Sequence, residues 1–83
     1  MRKILIAAAV MAALPAFAAD LGMGTQLGTT MDEIKATLTD MGYEVRKLEM
    51  DDGKIEAYAV KDGQMSEMYV DPATGQVVDL DTN

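Results

Sequence analysis

The 83-residue chain contains no cysteine and no histidine. Without cysteine it forms no disulfide, carries no lipid on a cysteine, attaches no haem through thiols and offers no thiolate to a metal. Without histidine the commonest general base is missing. Basic side chains are scarce, seven Lys and Arg against 14 Asp and Glu, for a net charge of −7. Binding nucleic-acid phosphates needs clustered Lys and Arg, so that class of partner is excluded. Long apolar runs are lacking too. The stretch Ile4 to Leu14 has eleven uncharged residues, short of the ~20 that cross a bilayer.

What is present begins with that stretch. Arg2 and Lys3 precede it, and Pro15-Ala16-Phe17-Ala18 follows, with small residues at the −3 and −1 positions of a cut after Ala18. A positive start, a short apolar middle and an A-x-A end form the secretory signal pattern. Residues 1–18 therefore read as a signal peptide, and the expected location is periplasmic or secreted. Removing them would leave 65 residues with five basic and all 14 acidic side chains, a net charge of −9. A domain of that size buries only about 60 % of the surface its unfolded chain exposes. No deep cleft is expected, and a partner or a homodimer would add stability.

Residues 19–29 carry three glycines and no clear period, and read as a flexible leader, mobile or laid across the domain. The domain proper spans 30–83. Thr30 with Glu33 has the capping-box spacing, and Met31, Ile34, Leu38 and Met41 form one helical stripe that ends at Gly42. The period then becomes two. Tyr43 to Asp51, Lys54 to Lys61 and Met65 to Val70 read as strands joined by Asp52-Gly53 and Asp62-Gly63, the strongest short hairpin signal. Two-residue turns place Ile55 opposite Met50 and Val70, Ala57 opposite Leu48 and Met68, and Ala59 opposite Arg46 and Ser66. Val45 falls on the wrong face unless a bulge lies near Arg46-Lys47. Asp71-Pro72-Ala73-Thr74-Gly75 reads as a type I turn leading into a short strand, Val77 to Leu80, of unfixed register. The expected fold is α+β: one helix packed on a three- to four-stranded antiparallel meander, in two layers.

Chemistry-bearing groups are sparse. Ser66 has only lysines as conceivable bases, and a carboxylate needs burial to raise its pKa for acid catalysis, for which no candidate stands out. No catalytic residue is assigned and an enzyme is the least expected class. Asp51-Asp52-Gly53 lacks the ligand series of a calcium loop. Met65 and Met68 have an M-x-x-M spacing suited to copper(I), but three residues apart on a strand they face opposite ways. Met31, Met41, Met50 and Met68 are accounted for as core. No metal or cofactor is assigned. With one helix to cover the sheet, one face stays open, bearing Glu56, Tyr58, Glu67, Tyr69 and Lys47. These five form the candidate partner surface, and the sheet edges offer a second.

Thr30, Glu33-Ile34, Leu38, then Gly42-Tyr43-Glu44-Val45-Arg46-Lys47-Leu48, Asp52-Gly53 and Asp71-Pro72-Ala73-Thr74-Gly75-Gln76-Val77 resemble the PepSY domain family. The likeness is greatest to its small stand-alone exported members and runs from about Thr29 to Val78. Ala57 and Ala59 are smaller than the pattern leads one to expect. The resemblance implies a helix on an antiparallel sheet. It also implies non-catalytic modulation, since such domains occur in propeptides of secreted metallopeptidases and as lone secreted domains proposed to modulate extracytoplasmic peptidases. The leading expectation is an exported module that binds and modulates or inhibits a protein partner such as a peptidase. A metal (copper or calcium) or small-ligand carrier and a structural or dimerising domain are the alternatives.

Overall fold

The computed structural model describes residues 21–83. The expected signal peptide, and the first two residues of the leader, lie outside the described residues. The helix α1 spans Met31–Asp40, and four strands follow: β1 Glu44–Asp51, β2 Lys54–Lys61, β3 Gln64–Val70 and β4 Val77–Thr82. The strands form one antiparallel sheet in the order β1-β2-β3-β4. The fold is α+β, one helix on a four-stranded meander.

Local chemistry sets each boundary. At the helix start the Thr30 hydroxyl accepts from the Glu33 N–H at 3.1 Å. The Glu33 carboxylate reaches back to the Thr29 N–H at 2.9 Å, one residue earlier than the usual capping box. At the other end Gly42 takes φ 96°. Its N–H donates to the Thr39 carbonyl, and the Tyr43 N–H donates to the Leu38 carbonyl, which is the Schellman closure. The last turn has no basic residue of its own. Lys61 of β2 supplies one instead, donating from Nζ to the Met41 carbonyl at 2.8 Å where the helix dipole favours a cation.

Both Asp-Gly turns have positive φ at the two central residues, 56° and 82° at Asp52-Gly53 and 53° and 82° at Asp62-Gly63. That is the type I′ geometry whose twist matches the flanking strands. The expected pairs Ile55 with Met50 and Val70, and Ala57 with Leu48 and Met68, are observed. A bulge at Arg46 corrects one pair, because Ala59 faces Val45 rather than Arg46. The extra residue turns Val45 toward the core and Arg46 outward, which strict alternation did not allow.

The Asp71–Gly75 turn closes through hydrogen bonds from the Thr74 and Gly75 N–H groups to the Asp71 carbonyl, at 3.2 and 2.7 Å. The Asp71 carboxylate accepts from the Ala73 N–H at 2.8 Å. The fourth strand then pairs Leu80 with Met68 and Asp79 with Tyr69, with a second bulge at Val78. It runs two residues beyond the expected end.

The core is Leu27, Ile34, Leu38, Ile55, Ala57, Ala59, Met68, Val70 and Val77. Full burial of Ile34 and Leu38 contributes roughly 1.5–3 kcal/mol each. Two expectations change here. Met50, expected in the core, is 54 % exposed, because it sits beside the first hairpin turn on the edge strand. Met31 and Met41 are only half-buried at its margin. Leu27 fills part of the space at 2 % exposure. Residues 21–28 thus lie across the domain, which is one of the two dispositions open for the leader. The Gly24 N–H donates to the Val77 carbonyl, the Val77 N–H to the Thr25 carbonyl, and the Leu27 N–H to the Gly75 carbonyl. The Thr37 hydroxyl of the helix donates to the Leu27 carbonyl at 2.7 Å.

Candidate functional site

Side chains alternate across a strand, so the residues that face α1 alternate with residues that do not. Two central cross-strand rows of the second set carry most of its polar side chains. One is Lys47, Tyr58, Glu67 and Asp81, and the other is Glu49, Glu56, Tyr69 and Asp79. All five candidate residues, Lys47, Glu56, Tyr58, Glu67 and Tyr69, share this uncovered face.

The two tyrosines organise it. The Tyr58 hydroxyl donates to the Glu67 carboxylate on the neighbouring strand at 3.0 Å, while the Lys47 ammonium stands 5.1 Å from the Tyr58 ring centre. That is within cation–π range. Lys47 also pairs with Glu49 at 3.3 Å in an exposed contact of small energetic weight. Tyr69 reaches further. Its hydroxyl, on β3, donates to the Asp51 carboxylate on β1 at 3.1 Å, so the side chain crosses over β2.

That crossing explains a buried carboxylate. Glu56 lies on β2 directly opposite Tyr69 and two residues from Tyr58, and only 5 % of it is exposed. Sequence reasoning found no buried carboxylate, and Glu56 corrects that. Its concealment comes from a contact between strands that are not neighbours. No local period encodes it.

The phenols respond to their acceptors. A hydrogen bond to Glu67, then desolvation and the nearby carboxylate charges, pushes the Tyr58 phenol up to about 12. The Asp51 hydrogen bond, desolvation and the Glu56 charge push Tyr69 up to about 12 as well. Each phenol stays neutral, a donor aimed at an anion, across the physiological range.

Three further residues join the face without having been singled out from the sequence: Asp51, Asp79 and Asp81. The last two were hidden by the unfixed register of the fourth strand, although Leu80 between them, paired with Met68, carries the signal. Among the described residues no group of three or more His, Cys, Asp or Glu side chains is placed to hold a metal ion. Met65 pairs with Val60 on the open face and Met68 with Ala57 on the covered one, so their sulfurs diverge. No helix among the described residues is long and apolar enough to cross a membrane.

The family model for the peptidase propeptide and YPEB domain matches residues 2–81. No curated protein and no solved structure gives a match. The match spans nearly the whole sequence, and the helix and meander carry its expected layout, so the chain belongs to the PepSY family of peptidase propeptide and YPEB domains.

Proposed function

We propose that this protein is an exported regulatory module that binds an extracytoplasmic peptidase and modulates or inhibits it through the uncovered sheet face. Family membership supports the peptidase as partner. The observation that carries the choice of surface is the pair Tyr58 and Tyr69, half-buried on a sheet face that no helix among the described residues covers. Tyrosine offers contact area at low entropic cost and a polar tip, and such residues are enriched at interfaces. Both rings are held in place by hydrogen bonds to Glu67 and Asp51, which lowers the ordering cost of an encounter. The N-terminal pattern at residues 1–18 supports action outside the cytoplasm.

The test adds purified protein in increasing amounts to the exported peptidases of the producing cell and follows the rate of each. A saturable change in the rate of at least one peptidase is the expected result. Rates that stay flat for every peptidase overturn the proposal.

A further inference from the structure

The uncovered face is not uniform in charge. Its β1–β2 half mixes Lys47 and Lys54 with Glu49, Asp51 and Glu56. Its β3–β4 half holds Met65, Glu67, Tyr69, Asp79 and Asp81, with no basic side chain. Two open depressions share Tyr69, the first reaching across to the β1–β2 hairpin. One, of about 500 Å³, is lined by Asp51, Asp52, Lys54, Tyr69, Val78 and Asp79. The other, of about 390 Å³, is lined by Glu67, Tyr69, Asp79, Leu80 and Asp81. Both combine carboxylates, the Tyr69 ring and one aliphatic side chain, Val78 in the first and Leu80 in the second, but the first also holds Lys54, so only the second is free of basic side chains.

We infer that the β3–β4 half of the open face docks a segment of the partner bearing Lys or Arg, with a cationic side chain seated beside the Tyr69 ring in the depression lined by Glu67, Asp79, Leu80 and Asp81. This rests on the reading of the open face as the contact surface and adds the chemistry of what it contacts. A long basic side chain has an apolar stem and a charged head. Leu80 suits the stem, and the Asp79, Asp81 and Glu67 carboxylates suit the head. The Tyr69 ring adds cation–π attraction. A second copy of the chain is disfavoured on this half, since it would oppose carboxylates to carboxylates.

The probe is an unstructured Arg/Gly-repeat peptide, with a Glu/Gly peptide of equal length as control. Both are titrated into the protein by calorimetry at low and high salt, with amide chemical shifts mapped in parallel. The Arg/Gly peptide binds, more weakly as salt rises, and moves the amides of Glu67, Tyr69 and 78–81 most. Replacing Asp79→Asn and Asp81→Asn together weakens it about tenfold. The control pair Asp40→Asn and Asp62→Asn, both exposed and off this face, changes it less than twofold. Equal weakening by the two pairs, or shifts spread over the acidic surface, would reduce the effect to bulk charge and overturn the inference. Absence of Arg/Gly binding at low salt overturns it as well. If the Asp79/Asp81 variant still modulates the peptidase at full strength, the cationic-segment inference fails while the peptidase reading stands. If the unaltered protein modulates no peptidase yet binds the peptide on this face, the outcome is reversed.

Discussion

The two faces of the sheet are built from the same four strands, one residue apart, yet they obey different physics. The covered face uses Ile55, Ala57, Ala59, Met68 and Val70, all buried in the one core that includes Ile34 and Leu38 of the helix. The open face uses lysines, carboxylates and two tyrosines held by hydrogen bonds. Burial on the first is non-directional and scales with apolar area. The second depends on geometry, because a charge pair in water contributes little. The covered face therefore carries the stability, and the open face is left to vary with what it meets.

The largest effect separating the faces is a cavity. Leu38→Ala removes a fully buried side chain of α1 and is expected to cost about 2–5 kcal/mol, read as a lowered urea midpoint. A domain this small has little more to lose. A cost comparable to that of open-face substitutions would erase the contrast.

Gly75→Ala comes next. Gly75 holds φ 79°, and an added Cβ would meet the side-chain amide of Gln26 and the Gly28 backbone, the latter at 3.1 Å. Positive φ alone costs about 1–2 kcal/mol for a residue with a side chain. The segment 21–28 should loosen first, seen as faster amide exchange at Leu27, while the β1–β2 hairpin keeps its protection.

Thr30→Ala removes the helix cap and should cost about 1 kcal/mol. The same cap gives an acid dependence. The Glu33 carboxyl is held below its usual range, chiefly by the Thr29 N–H and then by the Thr29 hydroxyl. A depressed folded pKa contributes stability that is present above the ordinary carboxylate value and lost as pH falls through the folded one. Unfolding midpoints followed into acid should drop across that window, and Glu33→Gln should flatten the drop.

The open face gives the smallest effect and the opposite sign. Tyr58 and Tyr69, pushed up to about 12 from an ordinary 10, contribute stability that is whole below pH 10 and lost as pH rises toward 12. Carbon-13 shifts of the ring carbons should report both transitions near 12. Glu67→Gln should bring Tyr58 down while leaving Tyr69 less changed.

How much of this was legible in the sequence follows the same division. The helix, both Asp-Gly hairpins and their registers came from local chemistry: a cap, a terminal glycine and type I′ turns. Lys47, Glu56, Tyr58, Glu67 and Tyr69 followed from that register onto one face. Features resting on distant contacts were not legible. Leu27 enters the core from a glycine-rich stretch without a period, held by the Gly75 carbonyl. Met50 has the right parity for the core but sits beside a turn at the end of the edge strand and is exposed. Asp79 and Asp81 were obscured by the bulge at Val78, and the burial of Glu56 depends on Tyr69 crossing a whole strand.

The central claim, that stability and partner contact reside on opposite faces, is tested most directly by replacing Tyr58→Ala and Tyr69→Ala together. The readout is the peptidase response, in a protein whose amide spectrum shows the helix and sheet intact. The expected result is a folded protein that no longer changes the peptidase rate. A folded double variant that modulates the peptidase as well as the unaltered protein would contradict it.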